Sequence, residues 1–584
     1  MPEGLDAMYL AELAQTAPGW LVHIARDEGR MAALAEGIGF FAPGTHVLKL
    51  PAWDSLPYDR VSPNPEISAN RMNTLARLVG QAPPKAPSIL LTTVNATLQR
   101  LPPRSSIEGA VFQAGAGAMV VVAELIEFLV RNGYSRTGTV MEPGEFATRG
   151  GIVDIFPAGV ETPVRLDFFG DNLESIRLFD PLTQITIGEG QAVDLVPVSE
   201  VQLTEETTAR FRQGYRDLFG AVTDDDPLYG SIREGRRHGG MEHWLPLFHD
   251  GLETLFDYVA EGVVTLDHQS LVVRDERLEQ IQDYYEARIE AQQNPYDGAP
   301  IYKPVPPDSM FLDTKMWDAG FAGRQGGMFS PFSAPEGRGS IEFAGRQGRS
   351  FAAERAQADI NVFDALRGHV TAQRNAGRRV VFAAFSQGSS ERMALLLDDH
   401  GIEGVQRVEH WPAVMALPAK VPAMVVLGFE QGIETEDLAI ISEQDVLGDR
   451  LVRRRRSRRA EDFITEQSQL SSGDLVVHVE HGIGRYMGLE TIEVGGAPHD
   501  CLEIHYDGNA KLFLPAVNIE LLSRYGSEDA GVNLDRLGGA AWQARKAKLK
   551  QHIRDMADQL IKVAAERVLR SAPTIEKPDG LYEE

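Results

Sequence analysis

The sequence has very little cysteine and no long apolar run, and both deficits exclude classes of protein. Cys501 is the single cysteine among 584 residues, which excludes an intramolecular disulfide and any cysteine-rich zinc site. The longest apolar run, residues 118–130, is interrupted by Glu124 and Glu127 and is too short to span a bilayer. The first twenty residues lack the apolar core of a signal peptide. We therefore expect a soluble protein of the reducing cytoplasm, with no membrane partner.

The motifs of two large enzyme classes are also missing. No Gly-Lys-Ser/Thr occurs, so there is no Walker-type loop in which a lysine binds the terminal phosphates and a hydroxyl binds magnesium. No Gly-x-Ser-x-Gly nucleophile elbow occurs either. Cys501 lies in the strand-like segment CLEIHY, which favours core packing over a nucleophilic role. We expect no catalytic residue, no metal site and no cofactor in this chain.

Positive charge is scarce overall, because the formal net charge is -27. This balance argues against a generally basic nucleic-acid coat but leaves room for local basic patches. The clearest patch is RRRRSRR at residues 453–459, whose guanidinium groups could bind phosphates. The alternative is a solvated linker that balances the neighbouring acidic residues 434–449. The candidate nucleic-acid contacts are Arg453, Arg454, Arg455 and Arg456.

Hydrophobic periodicity changes several times along the chain and predicts a multidomain α/β and α+β protein. Residues 20–100 and 360–450 alternate buried-type strands with helices, which favours parallel sheets. Residues 120–200 alternate short apolar segments with turn residues, as in an antiparallel α+β insert. Residues 201–300 are helical, residues 471–525 predict a small β-barrel of about five strands, and residues 541–570 predict one long basic amphipathic helix. That last helix either approaches DNA with its polar face or connects domains.

Between these regions the hexapeptide FAGRQG occurs twice, at residues 321–326 and 343–348. Two copies are too few for a repeat architecture, which needs at least about three units. The segment is rich in glycine, so we interpret it as a loop-rich connector with short strands.

The stretch HVEHGIGRYMGLE at residues 478–490 has histidines that suggest a metal site and glycines that suggest a phosphate loop. A zincin places two histidines four residues apart on a helix, whereas His478 and His481 follow a strand pattern. The glycines are spaced too widely for Gly-x-Gly-x-x-Gly, and a strand-like segment follows them where a phosphate loop requires a helix. We interpret the glycines as corners with positive φ in the barrel. We interpret the histidines as turn-adjacent imidazoles that bond to the backbone.

A different pattern marks the insert, in the sequence RLDFF at residues 165–169. Alternation along a strand places Arg165, Asp167 and Phe169 on one face, and Arg149 lies in the same β-rich region. Arginine and a large aromatic residue together are typical of hot spots at protein interfaces. The alternative is that these are ordinary strand positions.

Several long segments resemble the bacterial transcription-repair coupling factors, in the order of that family and over nearly the whole chain. The segments in the first half are WDSLPYDRVSPNPEISANRMNTLARL (53–78), TTVNATLQRLPPR (92–104), EFATRGGIVDIFPAG (145–159) and GMEHWLPLFHDGLETLFDY (240–258). Those further along are VVHVEHGIGRYMGLETIEVGG (476–496), DGNAKLFLPAVNIELLSRY (507–525) and LGGAAWQARKAKLKQHIRDMADQLI (537–561).

The resemblance implies a layout of eight segments, built around a degenerate copy of the helicase-like half domain of UvrB. In chain order these are the first UvrB-like segment (1–110), the inserted UvrA-binding domain (111–200), the second UvrB-like segment (201–318), a connector (319–350), a small β/α domain (351–450), a basic linker (451–470), a CarD-like RNA polymerase-interacting domain (471–535), and a relay helix with the start of a translocase motor (536–584).

The resemblance also implies partners and site residues. The insert surface of the family uses two arginines and a phenylalanine to bind UvrA, and these match Arg149, Arg165 and Phe169. A hydrophobic contact to the RNA polymerase β subunit matches Ile492, next to Glu493. The expected function is transcription-coupled nucleotide-excision repair, in which the protein holds stalled polymerase and recruits UvrA.

The family's motor is expected to lie beyond residue 584, so that this chain is a fragment or a truncated form. ATP, magnesium and double-stranded DNA are therefore expected partners of the missing motor alone. The N-terminal MPEGLDA is interpreted as the position of the nucleotide loop of UvrB, without its Gly-Lys-Thr. Two alternatives remain: a stand-alone CarD-like transcription regulator, and a self-contained ATP-dependent helicase or nuclease.

Overall fold

A computed structural model describes residues 2–80, 86–222, 226–259, 261–293, 302–332, 341, 345–357, 360–448, 473–478, 481–494, 497–515, 522–526 and 534–537. The chain divides into two compact units, Met1–Ser457 and Arg458–Glu584. Each unit has its own sheets and hydrophobic cores. No helix within the described ranges has the length and apolarity needed to cross a membrane.

The first segment of the first unit alternates strands with helices, as its periodicity predicts. Strands and helices are numbered in chain order. The elements are α1 (Leu5–Thr16), β1 (Trp20–Ala25), α2 (Glu28–Phe41), β2 (His46–Leu50), α3 (Pro65–Gly80), β3 (Ser88–Thr93), α4 (Val94–Leu98) and α5 (Arg104–Glu108). Every residue of β1 and β3 is buried, because helices cover both faces of a parallel sheet. The Asp27 side chain accepts a hydrogen bond from the backbone N–H of Arg30 and so caps α2.

The chain then forms an insert built mainly of antiparallel strands. The elements are β4 (Phe112–Gly115), α6 (Val122–Arg131), β5 (Ser135–Arg136), β6 (Glu145–Arg149), β7 (Ile152–Ile155), β8 (Val164–Phe169), β9 (Asn172–Phe179), β10 (Thr186–Gly190) and β11 (Ala192–Leu195). Six of the strands form one sheet in the order β10-β9-β8-β7-β6-β5, and β11 pairs with β4. Leu125 and Phe128 of α6 pack on one face of the six-stranded sheet, against Leu166 and Ile176. The opposite face of this sheet carries Arg149, Asp154, Arg165, Asp167 and Arg177, together with a small apolar cluster that includes Ala147 and Phe179.

After the insert the chain returns to complete the first sheet. The elements are α7 (Glu205–Phe219), α8 (Pro227–Arg233), α9 (Leu255–Tyr258), β12 (Gly262–Leu266), α10 (Ser270–Gln293), α11 (Pro307–Met310), α12 (Thr314–Ala319) and β13 (Gly326–Met328). The sheet has the strand order β13-β12-β1-β3-β2, and its four pairings are parallel. Because β12 pairs directly with β1, the segments before and after the insert share one sheet.

A buried ion pair joins the end of the insert to α3. Arg71 donates from Nε to Glu200 Oε1 over 2.6 Å, and the two side chains are 0% and 1% exposed. Trp53 donates from its indole Nε1 to the same carboxylate oxygen over 2.8 Å. Arg71 also donates to the carbonyl of Pro51. The contacts fix the point at which the chain leaves the insert.

The place that a nucleotide loop takes in such a sheet is the turn between β1 and α2. MPEGLDA instead leads into α1, before the first strand, so its interpretation as the nucleotide-loop position is wrong. A phosphate loop joins a strand to the helix that follows it, and here that turn contains Arg26 and Asp27. Arg26 pairs with Asp267 over 3.3 Å. Arg30 approaches the same carboxylate at 3.5 Å and also pairs with Asp6 of α1.

A second, mixed sheet completes the first unit. Its elements are β14 (Gly345–Gln347), α13 (Ala352–Arg355), α14 (Val362–Asn375), β15 (Arg379–Ala384), α15 (Gln387–Asp399), β16 (Gln406–Arg407), α16 (Trp411–Ala416), β17 (Ala423–Val426), β18 (Ile433–Thr435), β19 (Leu438–Ser442) and α17 (Glu443–Leu447). The order is β14-β18-β19-β15-β17-β16. One continuous core contains Leu10 of α1 and Leu34 of α2 together with Val381 and Ile440 of this sheet. β13 begins at the last residue of the first FAGRQG copy, and β14 lies within the second copy. The two strands are edge strands of different sheets, so the predicted short strands of the connector are confirmed.

The described strands of the second unit form one antiparallel sheet. Its strands are β20 (Leu475–His478), β21 (Gly482–Val494), β22 (Ala497–His505), β23 (Lys511–Pro515) and β24 (Leu522–Gly526), in the order β23-β22-β21-β20-β24. Among the described strands β23 and β24 do not pair, so the predicted barrel is not confirmed. Arg453, Arg454, Arg455 and Arg456 lie outside the described residues, as does the predicted helix at 541–570.

The glycines and histidines at the start of β21 have backbone and packing roles. Gly482 has a φ of 83°, a conformation that glycine adopts without steric cost. A Cβ on Gly484 would lie 2.6 Å from a methyl group of Ile504, so a side chain there would displace the core. His478 accepts a hydrogen bond from the backbone N–H of His481, and the two rings stack at 4.6 Å. These contacts match the interpretation of a glycine corner at Gly482 and of a backbone-bonded imidazole at His478, whereas Gly484 is required by packing and not by positive φ.

A buried histidine in β1 predicts that the first unit loses stability in acid. His23 lies 2.9 Å through Nδ1 from Thr265 Oγ1, and burial lowers the pKa of its imidazole from 6.5 to about 3. Because the folded pKa is below the unfolded one, protonation favours the unfolded chain as the pH falls from 6.5 towards 3. We expect this histidine to lower the free energy of unfolding by about 1.4 kcal/mol for each pH unit in that window. Urea melts of His23→Gln between pH 7 and 4 should show a shallower acid slope, and an unchanged slope would contradict this account.

Candidate partner-binding site on the inserted sheet

The outer face of the inserted sheet brings together the three residues predicted to bind a partner. Register pairs Arg149 with Ile152 and Ile152 with Asp167, so these three side chains share a face. Arg165 and Phe169 lie two residues on either side of Asp167 in β8 and point the same way. The burial pattern agrees, because buried residues of β8 alternate with residues that are half-buried or exposed. The predicted common face is therefore confirmed, and the binding role of its residues stays a prediction.

Arg165 is held firmly against this face. It donates from Nε and Nη2 to the two oxygens of Asp154 over 2.7 and 2.9 Å, and these bonds raise the pKa of its guanidinium group. The guanidinium carbon lies 4.7 Å from the ring centre of Phe179, within the range of a cation–π contact. Asp154 is 3% exposed. Arg165 is therefore fixed in one position on this face, where it also neutralises a buried carboxylate.

Phe169 and Arg149 contribute less than Arg165 to holding the sheet together. Phe169 is 77% exposed at the end of β8, which is an unusual position for a large aromatic side chain. Arg149 donates from Nη2 to the carbonyl of Gly138 and to Thr139 Oγ1 over 3.2 Å. Within the described residues Arg149 forms no ion pair. An apolar ring and an uncompensated cation are thus available to a partner.

The residues predicted to contact polymerase lie on a long hairpin in the second unit. Ile492 is paired with His499, and Glu493 with Pro498, near the end of the β21–β22 ladder. The ladder extends to the pair formed by Val494 and Ala497. The fold therefore places both predicted residues close to a hairpin tip. Among the described residues no group of three His, Cys, Asp or Glu side chains is placed to hold a metal ion.

Two family models match the chain, and both matches fall on sheets described above. Residues 113–201 match the UvrB interaction domain, which is the inserted sheet. Residues 470–526 match the CarD-like/TRCF RID domain, which is the sheet of the second unit. The chain thus combines, in one polypeptide, a segment similar to the UvrB interaction domain and a segment similar to the CarD-like/TRCF RID domain.

Comparison with curated proteins names the particular relatives. The chain is similar to the transcription-repair-coupling factor of Escherichia coli (strain K12), with 31% identity over 576 residues that cover 97% of the chain and 48% of the relative. The factor of Rickettsia bellii is 29% identical over 92% of the chain and 46% of its own length. The factor of Bacillus subtilis is 28% identical over 86% and 43%. The resemblance to transcription-repair coupling factors is confirmed, and the chain spans about half the length of these relatives.

Proposed function

We propose that this chain is the recruiting part of a factor for transcription-coupled nucleotide-excision repair. It holds a stalled RNA polymerase through the sheet of its second unit and holds UvrA through its inserted sheet. The observation that carries the proposal is the presence of two docking modules of different families in one chain. Joining two binding sites in one polypeptide raises the effective concentration of each partner near the other.

The UvrA part of the proposal is supported by the chemistry of the inserted sheet. Arg149, Arg165 and Phe169 share one face, and Phe169 is largely exposed. Rigid arginine and aromatic side chains supply most of the energy at many protein interfaces. The insert also matches the model of the UvrB interaction domain. UvrA is the partner that this combination favours.

The polymerase part is supported by the match to the CarD-like/TRCF RID domain. The proposed contact is the hairpin that carries Ile492 and Glu493, and the proposed partner is the polymerase β subunit. ATP-driven translocation on double-stranded DNA would come from a motor outside these residues, with ATP and magnesium as its ligands. Force from the motor would act on polymerase while the insert delivers the repair machinery.

The polymerase contact is tested by Ile492→Arg. A charged side chain at an apolar contact must be desolvated without a partner, so we expect pull-down of the β subunit to fall at least tenfold, a loss of about 1.4 kcal/mol or more. Binding to UvrA should be unchanged, because Ile492 lies outside the insert. Phe169→Ala is the matched control, since it should keep polymerase binding. Full retention of the β subunit by Ile492→Arg would count against this contact.

A further inference from the structure

We propose that Arg177, held by Asp167, is a further contact of the UvrA-binding face and binds a carboxylate of the partner. The inference rests on the proposed function and extends it to a residue that the sequence pattern did not single out. Arg177 lies in β9, next to β8, and its backbone pairs directly with that of Arg165. It therefore shares the outer face with Arg165, and its neighbour on the far side is Glu189 of β10.

The arrangement carries an electrostatic cost that the fold does not require. Two cations directly opposite each other on neighbouring strands destabilise a sheet. Here Arg165 and Arg177 occupy such a pair of positions, and each has its own carboxylate. Asp154 neutralises Arg165, and Asp167 lies 2.5 Å from Arg177. Folding requires Arg165, because the carboxylate of Asp154 is buried, but it does not require Arg177, because its partner Asp167 is 36% exposed to solvent; the second arginine therefore points to a ligand.

The remaining donors of Arg177 are the second argument. A guanidinium group has five N–H donors. Arg165 makes hydrogen bonds to both oxygens of Asp154 and to the carbonyl of Gln184. Within the described residues Arg177 makes one hydrogen bond, from Nη2 to Asp167 Oδ2, and its side chain is 36% exposed. Its Nε is buried, so the donors that remain for a planar, bidentate acceptor are those of the two terminal nitrogens, Nη1 and Nη2.

The chemistry of the face also indicates what kind of surface it fits. The outer face combines Arg149, Arg165 and Arg177 with Asp167 and Glu189 on the same and adjoining strands, so the face is patterned and not uniformly basic. A polyanion such as a nucleic acid would be repelled by the two carboxylates. A protein surface with spaced carboxylates and an apolar recess for a phenyl ring would match the pattern.

The test uses the full chain and purified UvrA in a calorimetric titration. Arg177→Ala should weaken binding about tenfold, the effect of a typical interface arginine. A charge-swapped variant, Asp167→Arg with Arg177→Asp, keeps an internal ion pair but reverses the two charges on the face. We expect it to keep the melting temperature of the parent and to bind no better than Arg177→Ala. The control is Arg407→Ala. Arg407 forms an exposed ion pair in the mixed sheet of the first unit, so this variant should bind UvrA as the parent does.

The outcomes separate this inference from the function on which it rests. Parental affinity in the charge-swapped variant would mean that the pair is structural only, and would overturn the inference. Parental affinity in Arg177→Ala, together with weakened binding in Phe169→Ala, would overturn the inference and leave the proposed function standing. If Arg177→Ala and Phe169→Ala each bind UvrA with parental affinity, the inference and the proposed function are both overturned, because the face is then not the docking site. If Arg177→Ala fails to fold, the charge-swapped variant still decides the question.

Discussion

We expect the replacement of Phe169 with alanine to lower the affinity of the chain for UvrA about thirtyfold or more and to leave its melting temperature unchanged. The expected loss corresponds to about 2 kcal/mol, the threshold of an interface hot spot. The ring is 77% exposed, so its removal creates no cavity in the core. The measurement is a pair of titrations with UvrA, accompanied by thermal melts of both proteins.

A matched control distinguishes a specific contact from general loss of apolar surface. Leu395 is 68% exposed on α15, a helix that packs on a different sheet of the same unit, and Leu395→Ala should bind UvrA as the parent does. Arg165→Ala is a poorer test, because it also leaves the buried carboxylate of Asp154 without its partner. Equal affinity of Phe169→Ala and Leu395→Ala would contradict the docking role of this face.

The second large effect concerns stability. Glu200→Gln lowers the free energy of unfolding of the first unit by about 3–5 kcal/mol, because it leaves the Arg71 guanidinium group as an unpaired buried charge. The side chains of Arg71 and Glu200 are 0% and 1% exposed, so solvent screens their interaction very little. Trp53 donates to the same carboxylate, and its fluorescence should report the change in urea melts.

An exposed ion pair supplies the comparison. Arg104 and Glu253 lie 3.1 Å apart with side chains that are 47% and 29% exposed, and such pairs contribute about 0–1 kcal/mol. Glu253→Gln should therefore shift the urea midpoint much less than Glu200→Gln. Equal, small shifts in the two variants would show that the Arg71–Glu200 pair contributes little to holding the insert in place.

Local periodicity predicted those parts of the fold in which burial repeats along the chain. The apolar strand at residues 20–25 became the central strand β1 because both of its faces are covered. The alternation from Arg165 to Phe169 predicted a common outer face because side chains of a strand alternate between its two sides. In both places the signal lies within a few consecutive residues.

Features that depend on residues far apart in the chain could not be predicted in this way. Arg71 and Glu200 are separated by 129 positions, and no local pattern pairs them. Asp154, which holds Arg165, lies on the neighbouring strand, so its role follows from register. Arg177 was missed for the same reason. The one signal for it was alternation in NLESIRLF of β9, which becomes informative only when β9 is known to pair with β8.

The central claim is that one chain holds UvrA and RNA polymerase at the same time. Its most direct test is mass photometry of the purified chain mixed with UvrA and the polymerase core enzyme, together and in pairs. We predict a species with the summed mass of all three. Phe169→Ala should lose this species because it no longer binds UvrA, and Ile492→Arg should lose it because it no longer binds polymerase. Binding to polymerase without any binding to UvrA, or binding of the two partners that is mutually exclusive, would contradict the claim.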